Sequence, residues 1–206
     1  MDGIIFDVDG TLWDSTDTVA KSWNQVIAEN SDLDIRLDGG ILKNLFGKTM
    51  DEIYNTVFPT LPKEEQDRLG ALCFAHENKL LETEPGTVYE GTEDTLRALA
   101  GKMPVFIVSN CQCGYIEVFL KVSGLGDIVK DHLCFGETLV SKGQSIRMLM
   151  ERNQLKDVVY VGDTQGDFLA CQEAGIPFIF AKYGFGEVPQ AKDSIDHIFD
   201  LQARFL

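Results

Sequence analysis

The chain has 206 residues, 44% of them hydrophobic, and carries 33 acidic against 18 basic side chains for a formal net charge of −15. That length builds one core, or one core with a small insert. The acidic balance excludes a general nucleic-acid binder, which needs a basic face to neutralise phosphates, and no apolar run approaches the ~20 residues needed to span a bilayer.

The first run, Gly3–Val8 (GIIFDV), reads as a strand, and its place at the start leaves no room for a signal peptide before it. From about Ser15 to Thr83 only helical periodicity follows. Val19, Trp23, Val26 and Ile27 make one helix face; Leu69, Leu72, Cys73, His76 and Leu80 make another; Asp38–Phe46 and Thr49–Val57 fit two shorter helices separated by Gly47-Lys48. So long a helical crossover exceeds a simple strand–helix–strand link. The spacing therefore predicts a small all-α domain over 15–83, inserted into a core of 1–14 and 84–206. Its hinges are expected at Trp13–Thr18 and Glu84–Gly91.

Beyond the insert, apolar runs at Pro104–Ser109, His132–Gly136, Asp157–Gly162 and Pro177–Ala181 alternate with helix candidates at Thr92–Ala100, Tyr115–Val122, Gly143–Arg152 and Gly166–Ala174. The runs are continuous, as in parallel strands covered on both faces. The expected fold is α/β: a Rossmann-like parallel sheet with helices on both faces, plus the helical insert. The five cysteines are odd in number and read as reduced thiols of a cytoplasmic protein. Cys111-x-Cys113 is neither a CxxC motif nor one of two pairs, so it is not read as a zinc site and is given no catalytic role.

In an open parallel sheet, ligands bind beyond the carboxyl ends of the strands. There the sequence collects Asp7 and Asp9, then Ser109-Asn110, then Ser141-Lys142-Gly143 at a helix opening, then Asp163 and Asp167 in GDTQGD. Several carboxylates cannot share a small site without a cation. Oxygen-only ligands select a hard ion, most plausibly Mg²⁺. Mg²⁺, a lysine and a hydroxyl at a helix entrance are parts of a phosphoryl-binding site.

With DVDGT at Asp7–Thr11, Ser109 after a hydrophobic strand, Lys142 before a helix and GDTQGD at Gly162–Asp167, all in order, the chain resembles the haloacid dehalogenase superfamily. The resemblance is to its phosphoglycolate-phosphatase and β-phosphoglucomutase-like branch, which carries a helical (C1-type) cap after the first strand. It implies that Asp7 is the nucleophile forming an aspartyl-phosphate and a Mg²⁺ ligand. It implies that Asp9 is the general acid/base and ligates Mg²⁺ through its backbone carbonyl, that Thr11 helps fix Asp9, and that Ser109 and the backbone near Asn110 hold the phosphoryl oxygens. Lys142 neutralises charge, Asp163 ligates the metal, and Asp167 holds the metal's waters or orients Lys142. Asp9 is absent from the members that attack carbon, so phosphoryl transfer is the implied class. Lys48, in the loop between the two short cap helices, is the candidate contact to an anionic group of the substrate. The arginine found after this loop's lysine-glycine in mutase-like relatives is missing here, where Met50 follows.

The expected protein is a Mg²⁺-dependent phosphatase of a small phosphorylated metabolite, with no nucleic-acid or membrane partner, acting as a monomer or small homo-oligomer. The alternatives are a phosphomutase of the β-phosphoglucomutase type and a phosphate-binding domain without turnover. Intact Asp7, Asp9, Lys142 and Asp163 speak against the last.

Overall fold

The structure, a computed structural model, describes residues 1–206. In chain order its elements are β1 (Gly3–Phe6), β2 (Trp13–Asp14), α1 (Thr16–Asn30), α2 (Gly39–Lys43), α3 (Met50–Val57), α4 (Lys63–Leu81), β3 (Thr87–Val88), α5 (Thr92–Ala100), β4 (Val105–Ser109) and α6 (Tyr115–Ser123). There follow β5 (Val129–Cys134), α7 (Phe135–Thr138), α8 (Lys142–Arg152), β6 (Val158–Gly162), α9 (Gln165–Ala174), β7 (Phe178–Ala181), β8 (Ser194–Ile195) and α10 (Asp200–Phe205).

Six strands form one parallel sheet in the order β5-β4-β1-β6-β7-β8. β1 lies inside it, between β4 and β6. Its side chains alternate, as a strand's must. Ile4 and Phe6 join the larger apolar cluster with Val105, Ile107, Val159 and Val161. Ile5 joins the smaller one with Phe106, Val108, Val158 and Tyr160. Leu96, Leu99 and Phe119 of α5 and α6 cover the first face. Ile146 and Leu149 of α8, with Ala170 and Cys171 of α9, cover the second. Both faces are dry, which is why these strands read as unbroken apolar runs.

Two details differ from the expectation. β5 begins at Val129 and ends at Cys134, and Phe135-Gly136 already belong to α7. It is an edge strand, so its first half can carry Lys130 and Asp131, which an apolar-run criterion discards. The second helix is also shorter than Asp38–Phe46, spanning Gly39–Lys43.

The helical stretch lies between β2 and β3, which pair antiparallel through Trp13↔Val88 and Asp14↔Thr87. Both connections expected as hinges therefore contribute to one two-stranded ribbon. In α1 the face of Val19, Trp23, Val26 and Ile27 is buried as the spacing predicts. In α4 the inward stripe is Gln66, Leu69, Gly70, Cys73, Glu77 and Leu81, while Leu72 points outward. The helix is rolled because Gly70 takes the ring of Tyr54: a Cβ there would lie 2.1 Å from it. A polar and a glycine position thus sit on the packed face, where apolar periodicity does not look for them. No helix is long and apolar enough to cross a membrane, and all five cysteines are free.

Phe119 is fully buried and packs edge-on against Trp13 of the ribbon, with ring centroids 5.1 Å apart. Phe119→Ala should cost about 3–5 kcal/mol of stability, read from the shift in denaturation midpoint; a loss below ~1 kcal/mol would show that this contact does not tie ribbon to core.

Candidate active site

Asp7 leaves the end of β1, and the chain turns at Gly10, whose φ is +77°. A Cβ on Gly10 would lie 2.0 Å from the Asp163 carboxylate. Glycine is thus required twice, for the backbone conformation and for the close approach of β1's loop to β6's. Across the rim, Ser141 caps α8 by accepting from the Gln144 N–H at 3.2 Å, which fixes Lys142 at the helix's first position. The Lys142 ammonium donates to Asp7 Oδ1 at 3.1 Å and to Asp167 Oδ1 at 2.6 Å. Asp167 Oδ2 accepts from the Thr164 N–H and hydroxyl at 3.0 and 2.7 Å. Asp163 Oδ2 accepts from the Phe185 N–H at 2.7 Å.

Oxygens of Asp7, Asp163 and Asp167 lie within 4.8 Å of one another, all three residues being buried. One lysine faces three carboxylates, so the cluster holds excess negative charge. Burial, with Asp167 and Asp7 beside it, pushes the Asp163 carboxyl well up. Burial also raises Asp7, against the pull of Lys142. Asp167 goes the other way: Lys142 and the Thr164 donors outweigh its burial and hold it low. Burial works against charge on Lys142, but Asp167 and Asp7 overcome it and raise its pKa. Such an oxygen-only, over-charged pocket fits a hard divalent cation. Asp7, Asp163 and Asp167 each bring a carboxylate oxygen to this cluster. Asp167 also holds Lys142 from behind.

Asp9 sits in different company. Its Oδ1 accepts from Tyr115 Oη at 2.6 Å, Trp13 Nε1 at 3.1 Å and Ser15 Oγ at 3.1 Å. No cation reaches it, and burial pushes its carboxyl up to about 7. Thr11, expected to fix Asp9, instead points its hydroxyl at Asp163 Oδ1, 3.4 Å away. The turn at Gly10 carries Thr11 across to the β6 side, leaving the fixing of Asp9 to Trp13, Ser15 and Tyr115.

The cleft above the carboxylates lies between the core and α1–α4. The volume open to the centre of a water molecule is about 40 Å³. Ser109, Asn110 and Lys48 line it with Asp7 and Asp9. Asn110 Nδ2 donates to the Gly47 carbonyl at 2.8 Å, clasping the loop that bears Lys48 against the core. Lys142, Thr11, Asp163 and Asp167 are buried and do not line the cleft. Sequence reasoning missed Tyr115, Gln112 and Glu77, which also line it. Glu77 stands four residues after buried Cys73 on the inner stripe of α4, and a lone acid on an apolar helix face is the signal that could have found it.

The model of the haloacid dehalogenase-like hydrolase family matches residues 4–181. The chain belongs to this family. As a haloacid dehalogenase-like hydrolase it is 24% identical over 200 residues to the phosphoglycolate phosphatase of Rhodobacter capsulatus, covering 94% of this chain and 89% of that one. It is 25% identical over 210 residues to that of Rhodospirillum rubrum, covering 96% and 86%. Among solved structures it superposes on a haloacid dehalogenase-like family hydrolase from Streptococcus pneumoniae with a TM-score of 0.85, at 19% identity, covering 100% of this chain and 99% of that one. A predicted phosphoglycolate phosphatase from Haemophilus somnus gives 0.86 at 20% identity, covering 100% and 98%. These superpositions establish the shared fold.

Glu77 of this hydrolase provides a pH readout. Burial, with Asp9 adding to it, raises its carboxyl to about 8 despite hydrogen bonds from Trp23 and Gln112. The folded protein therefore binds this proton more tightly than the unfolded chain does. The stability so gained is complete below the ordinary glutamate pKa and falls as pH rises towards about 8. Glu77→Gln cannot titrate, so thermal melts should show wild type losing stability relative to the variant between about pH 4.5 and 8. A constant difference in melting temperature across that window would show that this carboxyl ionises in the fold as readily as in the unfolded chain.

Proposed function

We propose that the chain is a Mg²⁺-dependent phosphatase that hydrolyses a small phosphorylated metabolite through an aspartyl-phosphate on Asp7. The observation that carries this reading is the division between two aspartates at one strand end. Asp7 is held by the Lys142 ammonium, and Asp9 is held by neutral donors with its carboxyl raised to about 7. Burial raises both carboxyls, Asp7 to about 6 and Asp9 to about 7, so what distinguishes them is the partner: the one paired with a cation is suited to attack, and the one held by neutral donors to carry a proton. Family membership supports hydrolysis, and the relatives named phosphoglycolate phosphatases support a phosphate ester as substrate.

In this mechanism an Asp7 oxygen attacks phosphorus while the bond to the leaving oxygen breaks, and Asp9 gives that oxygen its proton. Asp9 then takes a proton from a water, whose oxygen attacks the same phosphorus, releasing phosphate and restoring Asp7. Lys142, steadied by Asp167, offsets charge on Asp7 and the transferring group. Ser109 and the backbone near Asn110 bind the phosphoryl oxygens, and Lys48 contacts an anionic group of the substrate, the phosphate itself. Asp7, Asp163 and the Asp9 backbone carbonyl, with Asp167 beside them, would hold Mg²⁺, whose positive charge would let a phosphate approach these carboxylates. Residues 15–83 act as a cap over a core of 1–14 and 84–206, excluding water from the closed cleft.

Hydrolysis of p-nitrophenyl phosphate should require Mg²⁺, stop in excess chelator and fall to background in Asp7→Asn; full activity in either case would overturn the mechanism. Free phosphate, not an isomerised sugar phosphate, is the expected product. Asp9→Asn should cost about 10²–10⁴-fold with alkyl phosphates and distinctly less with the aryl ester, whose leaving group needs no proton. Equal losses for both would remove Asp9 from the acid's role.

A further inference from the structure

Glu77 projects from α4 of the helical insert into the cleft that Asp9 also lines, and it is 3% exposed. Its Oε1 accepts from Gln112 Nε2 at 2.6 Å, and its Oε2 accepts from Trp23 Nε1. Gln112 sits on the core loop after β4 and also donates to Asn78 Oδ1 at 2.9 Å. Neutral donors from both insert and core therefore aim this carboxyl, and no lysine or arginine pairs with it. Two of its acceptor positions are filled, and a carboxylate has about four. A purely structural role would leave little reason for an acid here, since burying one without a cation is costly. The one lysine or arginine lining the cleft is Lys48, on the exposed loop after α2.

We propose that Glu77 is a specificity-determining residue that accepts a hydrogen bond from an N–H or O–H on the leaving group, and so selects small amino- or hydroxyalkyl phosphates over esters carrying a carboxylate there. The proposal rests on the phosphatase reading and narrows its substrate. At a pH above about 8, where Glu77 is ionised, a carboxylate at this end of the cleft would face a like charge, which disfavours binding. A hydroxyl or ammonium would complete the acceptor capacity of Glu77, and an ammonium would also supply its missing counter-charge. Phosphoglycolate, the substrate in the names of the relatives above, is on this argument a poor substrate for this chain once Glu77 is ionised.

The test uses three esters of nearly one shape: 2-aminoethyl phosphate, 2-hydroxyethyl phosphate and phosphoglycolate. At about pH 9, with Glu77 ionised, wild type should turn over one or both of the first two with kcat/KM at least about tenfold above phosphoglycolate, as a charged hydrogen bond gained or lost implies. Preference for the amine identifies an ammonium as the group met by Glu77; equal preference identifies any donor. In Glu77→Gln the ratio should collapse towards one, and in Glu77→Asp, which keeps the charge, it should largely persist. Phosphoglycolate equal to or better than the other two in wild type, or an unchanged ratio in Glu77→Gln, would overturn the proposal. Binding of the same esters to Asp7→Asn by calorimetry ranks them without turnover. A protein that hydrolyses no ester yet ranks them as stated would refute the phosphatase reading and keep the Glu77 assignment; the reverse ranking would refute the assignment alone.

Discussion

The ammonium of Lys142, wedged between Asp7 and Asp167 in a site closed to solvent, is the contact on which the rest of the rim depends. Without it three buried carboxylates would share a space 4.8 Å across with no cation of the protein's own. Truncating one partner of such a buried pair typically costs about 3–5 kcal/mol, because an uncompensated charge remains. Much of the surrounding backbone serves this cluster. Ser141 caps the helix that presents the lysine, and Thr164 caps the helix that presents Asp167. The Phe185 N–H answers Asp163, and the bare Cα of Gly10 lets the first strand's loop come close enough to share the site.

Against that background the two aspartates of the first strand end are chemically distinct groups. They stand two residues apart, the spacing that puts side chains on one face of a strand. Asp7 faces a cation across a buried pair, and Asp9 faces a phenol, an indole and a hydroxyl. Burial pushes both carboxyls up, and only Asp7 has a cation pulling against it. One short stretch of chain thus delivers two carboxyls whose difference comes from the neighbours each receives.

Those neighbours mark the limit of what the sequence makes legible. The parallel sheet could be read because both its faces are covered, which leaves unbroken apolar runs at β1, β4, β6 and β7. β5 was read incompletely because an edge strand escapes that demand. The rim residues could be gathered because strand ends in such a sheet converge on one side. What holds Asp9 could not be gathered. Tyr115 lies 106 residues away and read only as the start of a helix. Thr11, next in line, was the natural partner until the turn at Gly10 sent it elsewhere. The face of α4 was misplaced for a related reason. Its inward stripe includes Gly70, chosen for a neighbouring ring, and Glu77, chosen for the cleft, and neither registers as core on a scale of hydrophobicity. Local pattern reports burial well and reports partnership across the chain poorly.

The β2–β3 ribbon adds a coupling of its own. Trp13 belongs to the ribbon, and Ser15 lies just beyond it at the start of α1; both donate to Asp9. The strand that carries the chain into the helical insert is thus also part of the scaffold around the Asp9 carboxyl, whose third donor, Tyr115, is rooted in the core. Any displacement of the ribbon would strip donors from one side of that carboxyl only, and hydrogen bonds to a carboxylate are part of what sets its acidity.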